Sequence, residues 1–247
     1  MAEVSLRFYA ELNDFLPPER QQREFGVELT APRSVKDLVE SLGVPHTEVD
    51  LIVVDGVSVD FAHPVAAGER ISVYPVFEAL DVSPLVRLRP GPLRETRFVL
   101  DGHLGKLAAY LRLLGFDTLY AKDARDEELA RVSRAERRVL LTRDRGLLKR
   151  SEVTHGLCIR STDPRRQLAE IVERCDLSAA AAPFTRCLKC NAPLEPVAKQ
   201  AVLERLPPRV GALHEEFWRC APCDKVYWKG THWERMRGLV EETLARP

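Results

Sequence analysis

The spacing of apolar and polar positions changes character along the chain. Residues 3–9 (EVSLRFY) alternate in the manner of a half-buried strand, and 24–30 (EFGVELT) read as a second strand. Ser34 stands where it can cap the amphipathic run VKDLVESLG, which Gly43 ends. LIVVDG, the short VSVD and ERISVYPVF follow, so the order is β-β-α-β-β with one helix crossing a mixed sheet. Pro84, Pro90, Gly91 and Pro92 mark 81–95 as a linker. From residue 97 strands and helices alternate. RFVLD ends in Asp101, and Leu104, Leu107, Ala108, Leu111 and Leu114 then recur at helical spacing up to Gly115. FDTLYA (116–121), RVLLT (138–142) and GLCIRS (156–161) read as strands. DEELARVSRAE and RRQLAEIVERC read as helices, with a short helical stretch after Asp144. Four βα units in succession predict an α/β fold, a parallel sheet with helices on both faces.

Composition narrows the class. A chain of 247 residues that is 45% hydrophobic is globular and long enough for two domains and a small third module. No apolar run approaches the roughly 18–20 residues that cross a bilayer. The start, MAEVSLRFYAELNDF, carries acids where a signal peptide needs a basic region and an unbroken apolar core. A soluble, cytoplasmic protein with no membrane association is the expectation. The formal net charge of zero conceals an asymmetry. Residues 1–80 hold 6 basic and 14 acidic residues, a net of −8, and residues 81–247 hold 31 and 23, a net of +8. The basic part suits a polyanionic partner.

Open parallel sheets bind ligands beyond the carboxyl ends of their strands. The acids that follow the four strands are Asp101, Asp126 (with Asp123 and Glu127 as substitutes), Asp144 and Asp163. Like charges gathered on one edge repel unless a cation neutralises them. Oxygen-only ligands suit Mg²⁺ or Mn²⁺, and a pair of such ions activates water against a phosphodiester. Each acid also has a purely structural reading. Asp101 and Asp163 can cap helices, Asp163 with Pro164 behind it, and Asp126 suits a helix dipole. Asp117, at the start of a strand, reads as structural. Lys106, Arg112, Arg143, Arg145, Lys149 and Arg150 can steer a polyanion toward these acids, and Arg143 and Arg145 flank Asp144.

Cys187-x₂-Cys190 and Cys220-x₂-Cys223, with 29 residues between the pairs, have the spacing of a four-thiolate Zn²⁺ site. Four thiolates leave no open position, so such a zinc is structural, and His214 and His232 are not needed as ligands. Cys158 and Cys175 read as buried thiols. KVYWKGTHWERM interleaves Tyr227, Trp228 and Trp233 with Lys225, Lys229 and Arg235. That pattern suits the stacked bases and phosphates of single-stranded nucleic acid, with Trp228, Lys229 and His232 as candidate contacts. The same aromatics can equally pack the cysteine module against the α/β core.

Two resemblances rest on these residues. VVDG and GERISVYP, within residues 1–80, resemble the ubiquitin-like β-grasp fold of sulfur carriers. Here the last strand runs on into FEALDVSPLVRLRPGPLRETRF and no terminal Gly-Gly exists, so binding or scaffolding is expected instead of carrier chemistry. The acidic domain would then meet a protein partner. FVLDGHLGKLAAYLRLLGFDTLY, DARDEELA and RRVLLTRDRGLLKR resemble the PIN-like ribonuclease domain of the Mut-seven C-terminal domain family, and TRCLKCNAPL, FWRCAPC and KVYWKGTHWERM resemble its zinc-ribbon end. The resemblance implies a β-grasp domain over 1–80, a linker over 81–95, a PIN-like α/β core over 96–180 and a zinc ribbon over 181–240. It implies a metal-dependent nuclease acting on RNA, with catalytic acids at Asp101, Asp126 and Asp144 and a fourth at Asp163. The rival reading is a noncatalytic nucleic-acid-binding zinc-ribbon protein, or an adaptor recruited through the β-grasp domain.

Overall fold

The computed structural model describes residues 3–75, 88 and 95–245. The expected linker therefore lies almost wholly outside the described residues. In the first module, β1 (Glu3–Phe8) pairs antiparallel with β2 (Glu24–Glu28), and α1 (Val35–Ser41) follows. The Ser34 hydroxyl accepts the Asp37 amide at 3.1 Å while the Asp37 carboxylate accepts the Ser34 amide, a reciprocal capping box that fixes where α1 begins. β3 (Val49–Val54) turns through Asp55 and Gly56, both at positive φ, into β4 (Val57–Val59), and β5 (Arg70–Pro75) closes the module. The sheet order is β2-β1-β5-β3-β4 with β1 and β5 parallel at its centre, the β-grasp arrangement expected. Strand alternation sends Val4, Leu6 and Phe8 inward, where they share a core with Val35, Leu38, Ile52, Ile71 and Val73.

The α/β part follows as β6 (Phe98–Leu100), α2 (Gly105–Leu113), β7 (Thr118–Tyr120), α3 (Asp126–Glu136), β8 (Val139–Thr142), α4 (Arg145–Leu148), β9 (Gly156–Cys158) and α5 (Pro164–Arg174). β6 and β7 pair in parallel, as do β8 and β9, so the expected class is observed with strands of only three or four residues. Leu107, Ala108 and Leu111 form the buried stripe of α2, which packs against α5 with its buried Leu168 and Ile171. Cys158 is buried as expected, whereas Cys175 is half-buried.

The last module contains β10 (Glu195–Val197), α6 (Lys199–Val202), α7 (Pro208–Leu213), β11 (Phe217–Arg219), β12 (Val226–Trp228) and α8 (Thr231–Leu244). Its antiparallel sheet has the order β10-β11-β12 and covers a small core of Val202, Leu206 and Phe217. Among the described residues, no helix is long and apolar enough to cross a membrane.

The chain divides into two compact units. One comprises residues up to 95 together with 125–159, and the other comprises 96–124 together with 160–247. Within the first, the β-grasp domain grips the segment from α4 to β9. The buried Glu48 carboxylate accepts the Cys158 amide, Lys149 Nζ donates to the Glu40 carbonyl at 2.7 Å, and the Arg145 guanidinium lies 4.9 Å from the Phe15 ring centroid. The His46 ring faces Glu40 Oε1 at 2.7 Å and the Val153 carbonyl at 3.0 Å. A buried amide stripped of its acceptor costs about 1–3 kcal/mol. Glu48→Ala is therefore expected to lower unfolding stability by at least about that amount, measured by urea denaturation. An unchanged midpoint would show that the Glu48 bond to Cys158 contributes nothing.

Candidate functional site

The strand-end acids are fixed by their own backbones. Asp101 follows the fully buried β6 and is half-buried itself. The chain then turns at Gly102, where a Cβ would lie 2.2 Å from the Lys122 carbonyl oxygen, so only glycine allows this approach. The Tyr120 hydroxyl donates to the Gly102 carbonyl at 2.9 Å and holds the turn. Asp144 follows β8. Its amide donates to Thr142 Oγ1 at 2.9 Å, and its Oδ1 accepts the amides of Gly146 at 2.7 Å and Leu147 at 3.4 Å, which starts α4. Asp163 caps α5 in the same way, with Oδ1 accepting from Arg165 and Arg166 and with Pro164 in the first turn. Asp126 is exposed in the first turn of α3 beside Glu127 and Glu128. The capping roles expected for Asp163 and the dipole position of Asp126 are thus both present.

The cations divide into two kinds. Arg143 and Lys106 are exposed, Lys106 with its ammonium 5.6 Å from the Tyr110 ring. Arg145 also donates to the Phe15 carbonyl at 3.3 Å, so its guanidinium already has an acceptor. Arg112, expected among the steering cations, is only 5% exposed. It donates to the Thr118, Leu188 and Lys189 carbonyls at 3.0, 3.1 and 3.0 Å. Helical spacing alone cannot reveal that role, because two of the three acceptors, Leu188 and Lys189, are backbone groups far along the chain.

The Leu188 and Lys189 carbonyls belong to the ribbon. The sulfurs of Cys187, Cys190, Cys220 and Cys223 all lie within 4.8 Å of one another, the one such group of three or more His, Cys, Asp or Glu ligands among the described residues. Tetrahedral Zn–S bonds of about 2.3 Å place sulfurs about 3.8 Å apart. The observed separations of 3.5 Å for Cys187–Cys223 and 3.2 Å for Cys190–Cys220 fit after slight expansion. Each Cys-x₂-Cys turn ends on a residue in the left-handed region, Asn191 at φ 74° and Asp224 at φ 54°, and these side chains tolerate it well. The Cys187 amide donates to the Ala192 carbonyl at 2.8 Å and the Cys220 amide to the Lys225 carbonyl at 2.9 Å, so the two turns are built alike. Asn191 also anchors the first turn to the start of β7. Its Oδ1 accepts the Thr118 amide at 2.9 Å and its Nδ2 donates to Asp117 at 2.8 Å, which gives Asp117 the structural role expected of it.

The thiols are electrostatically unequal. Burial opposes ionisation of Cys187, yet the Tyr227 hydroxyl 3.1 Å away and the amides of Cys190 and Lys189 outweigh it and hold this thiol at about 6. Burial pushes the Cys220 and Cys223 thiols up. A cation lets all four ionise together.

Beside the ribbon lies a cavity of about 520 Å³ lined by Trp228, Lys229 and His232, which the sequence singled out, and by Trp218 and Phe184, which it did not. Trp228 also packs on the Val202–Leu206–Phe217 core, so its indole serves the ribbon as well.

A family comparison decides the class. The sequence model of the Mut7-C RNAse domain matches residues 96–240, and that of the Mut7-C ubiquitin domain matches residues 1–81. The chain belongs to the Mut7-C RNAse family. No curated protein and no solved structure matches it.

In this Mut7-C RNAse chain the four cysteines can hold a zinc ion that closes the ribbon. About one zinc per chain is expected by metal analysis. The double variant Cys187→Ser with Cys220→Ser should lose it and blue-to-red shift the tryptophan emission as the ribbon opens. Full zinc content in that variant would exclude a four-thiolate site.

Proposed function

We propose that the chain is a metal-dependent ribonuclease that hydrolyses RNA phosphodiester bonds at a PIN-like carboxylate site. The observation that carries this reading is the Mut7-C RNAse match over 96–240, a stretch in which an acid follows each parallel strand. Asp101 comes directly after β6 and Asp144 two residues after β8, and Asp126 and Asp163 open the helices that follow β7 and β9. Asp101, Asp126 and Asp144 are assigned as ligands of Mg²⁺ or Mn²⁺, with Asp163 as the fourth acid.

The donor set suits hard cations, being carboxylate oxygens on exposed or half-buried residues. Asp144 spends only Oδ1 on its helix cap. A bound divalent ion supplies an activated water and offsets the charge of the phosphodiester. The chain's own groups do the positioning. Gly102, Tyr120 and Thr142 set the backbone around Asp101 and Asp144. Arg143 and Lys106 are assigned to substrate phosphates, with Arg145 in a lesser part because Phe15 already engages it. Trp228, Lys229 and His232 are assigned to single-stranded RNA. Reduced cysteines arranged for a metal are in keeping with the cytoplasm. The outer face of the β-grasp sheet, where Tyr9 and Tyr74 stack at 4.4 Å under Arg7, is where a protein partner is to be sought.

The test is cleavage of end-labelled single-stranded RNA by zinc-loaded, otherwise metal-stripped protein. Cleavage should appear on adding Mg²⁺ or Mn²⁺, and Asp101→Asn and Asp144→Asn should each slow it by at least about 100-fold. Asp163→Asn should cost less, since its carboxylate already serves the α5 cap. Unchanged rates in both Asp101→Asn and Asp144→Asn would sink the assignment. Binding without any cleavage would favour the noncatalytic reading, for which the ribbon cavity is the specific support.

A further inference from the structure

We propose that the cavity beside the zinc ribbon is a nucleotide subsite that takes one unpaired base of single-stranded RNA. The proposal relies on the ribonuclease reading for the identity of the polymer and on the cavity walls for everything else.

The volume of about 520 Å³ lies within the range of sites for small molecules, roughly 300–1,000 Å³. Its aromatic walls are not equivalent. Trp228 belongs to the ribbon core, and the Tyr227 hydroxyl points to Cys187. Trp218 differs. It pairs across the sheet with Tyr227 and alternates with Phe217, so strand geometry turns its indole away from the Val202–Leu206–Phe217 core. Trp233 reaches the same cavity from α8, with its ring 5.0 Å from that of Phe184. One ammonium, Lys229 Nζ, lies 5.4 Å from the Trp218 centroid and 6.0 Å from the Trp233 centroid. Two half-buried indoles on different elements therefore turn π surface toward one space.

Charge selects the occupant. The lining includes Arg186, Lys225, Lys229 and His232 and no aspartate or glutamate. Aromatic cages also take quaternary ammonium groups, but a lining rich in cations and free of carboxylates repels them. A flat π system joined to phosphates meets both features, the base on an indole and the phosphate near the lysines. Lys229 is held by the exposed Glu216, and an exposed ion pair of this kind exchanges readily for a phosphate.

The test uses the full, zinc-loaded chain carrying Asp101→Asn and Asp144→Asn, so that RNA survives the titration. A labelled single-stranded RNA of about 12 nucleotides, within the site size of such binders, is compared with its duplex, with adenosine monophosphate and with choline. Binding is read from tryptophan quenching and from the label's anisotropy. Trp218→Ala and Trp233→Ala should each weaken binding about tenfold or more, while Trp218→Phe keeps most of it. Lys229→Gln should lower the salt dependence by about one phosphate contact. Circular dichroism and zinc content report folding. If Trp218→Ala disturbs β11, then Trp233→Ala on α8 and the exposed Lys229→Gln decide. Unchanged affinity in folded Trp218→Ala and Trp233→Ala overturns the subsite, as does tighter quenching by choline than by RNA. Affinity for the mononucleotide equal to that for RNA overturns the polymer assignment. The two readings fail separately. Wild-type cleavage with normal binding by both tryptophan variants removes the subsite and leaves the nuclease. Absent wild-type cleavage with binding lost in those variants removes the nuclease and leaves the subsite.

Discussion

Four cysteine sulfurs within 4.8 Å of one another form the constraint on which the C-terminal part of the chain depends. As thiolates they repel, and as thiols they gain little from such closeness, so a cation held by all four would close the cluster. Much hangs on that closure because the ribbon's own core is small, with Val202, Leu206 and Phe217 at its centre. The first cysteine turn is tied to β7 through Asn191 and through the buried guanidinium of Arg112. The second is tied down by Asp224, whose carboxylate accepts from Arg219 at 2.7 Å and is held below the usual carboxylate range by it. β11 and β12, which enter and leave the second turn, carry Trp218 and Trp228 into the cavity wall. The cysteine cluster, the ribbon sheet and the aromatic cavity are thus one connected arrangement.

The β-grasp domain has a comparable mechanical part in its own unit. A ubiquitin-like domain without a terminal Gly-Gly reads first as a recruiter of partners. Here it also grips the segment that begins at Asp144. Glu48 satisfies the Cys158 amide, His46 reaches the Val153 carbonyl, and Phe15 receives the Arg145 guanidinium. The short α4 has only four residues and gains little from helix cooperativity alone. Contacts from Phe15 and Glu40 to Arg145 and Lys149 at its ends supply order that so short a helix lacks. The acid immediately before this helix, Asp144, is thus positioned partly by a domain about a hundred residues away in the chain.

Local signals were legible wherever the physics is local. The helix at 126–136 occurs with the bounds its periodicity gives, because the amphipathic pattern and the acids of its first turn are carried within the segment. Ser34 and Asp163 cap helices as their neighbours suggest, since capping reaches only two or three residues. The alternation of short strands and helices pointed to the α/β class, and the cysteine spacing pointed to the thiol cluster, because each Cys-x₂-Cys turn offers two sulfurs to one centre whatever surrounds it. Arg112 reads as a surface cation in the sequence, since two of its three acceptors are carbonyls 76 and 77 residues away at Leu188 and Lys189. Glu48 and Trp218 carried no signal of their roles, the first being one acid in an acidic domain and the second a strand residue beside a cysteine.

By itself, then, the sequence determined the elements, the module order, the acids that follow the strands and the thiols that can share an ion. These follow from periodicity, caps and short spacings, which act over a turn or two of chain. Only the tertiary structure decided which cations stay exposed, which acid is buried against which amide and which indoles face a common cavity. Those outcomes depend on burial and on partners brought together from distant positions. A side chain's spacing within its own element states which way it points, and packing alone states what it meets there.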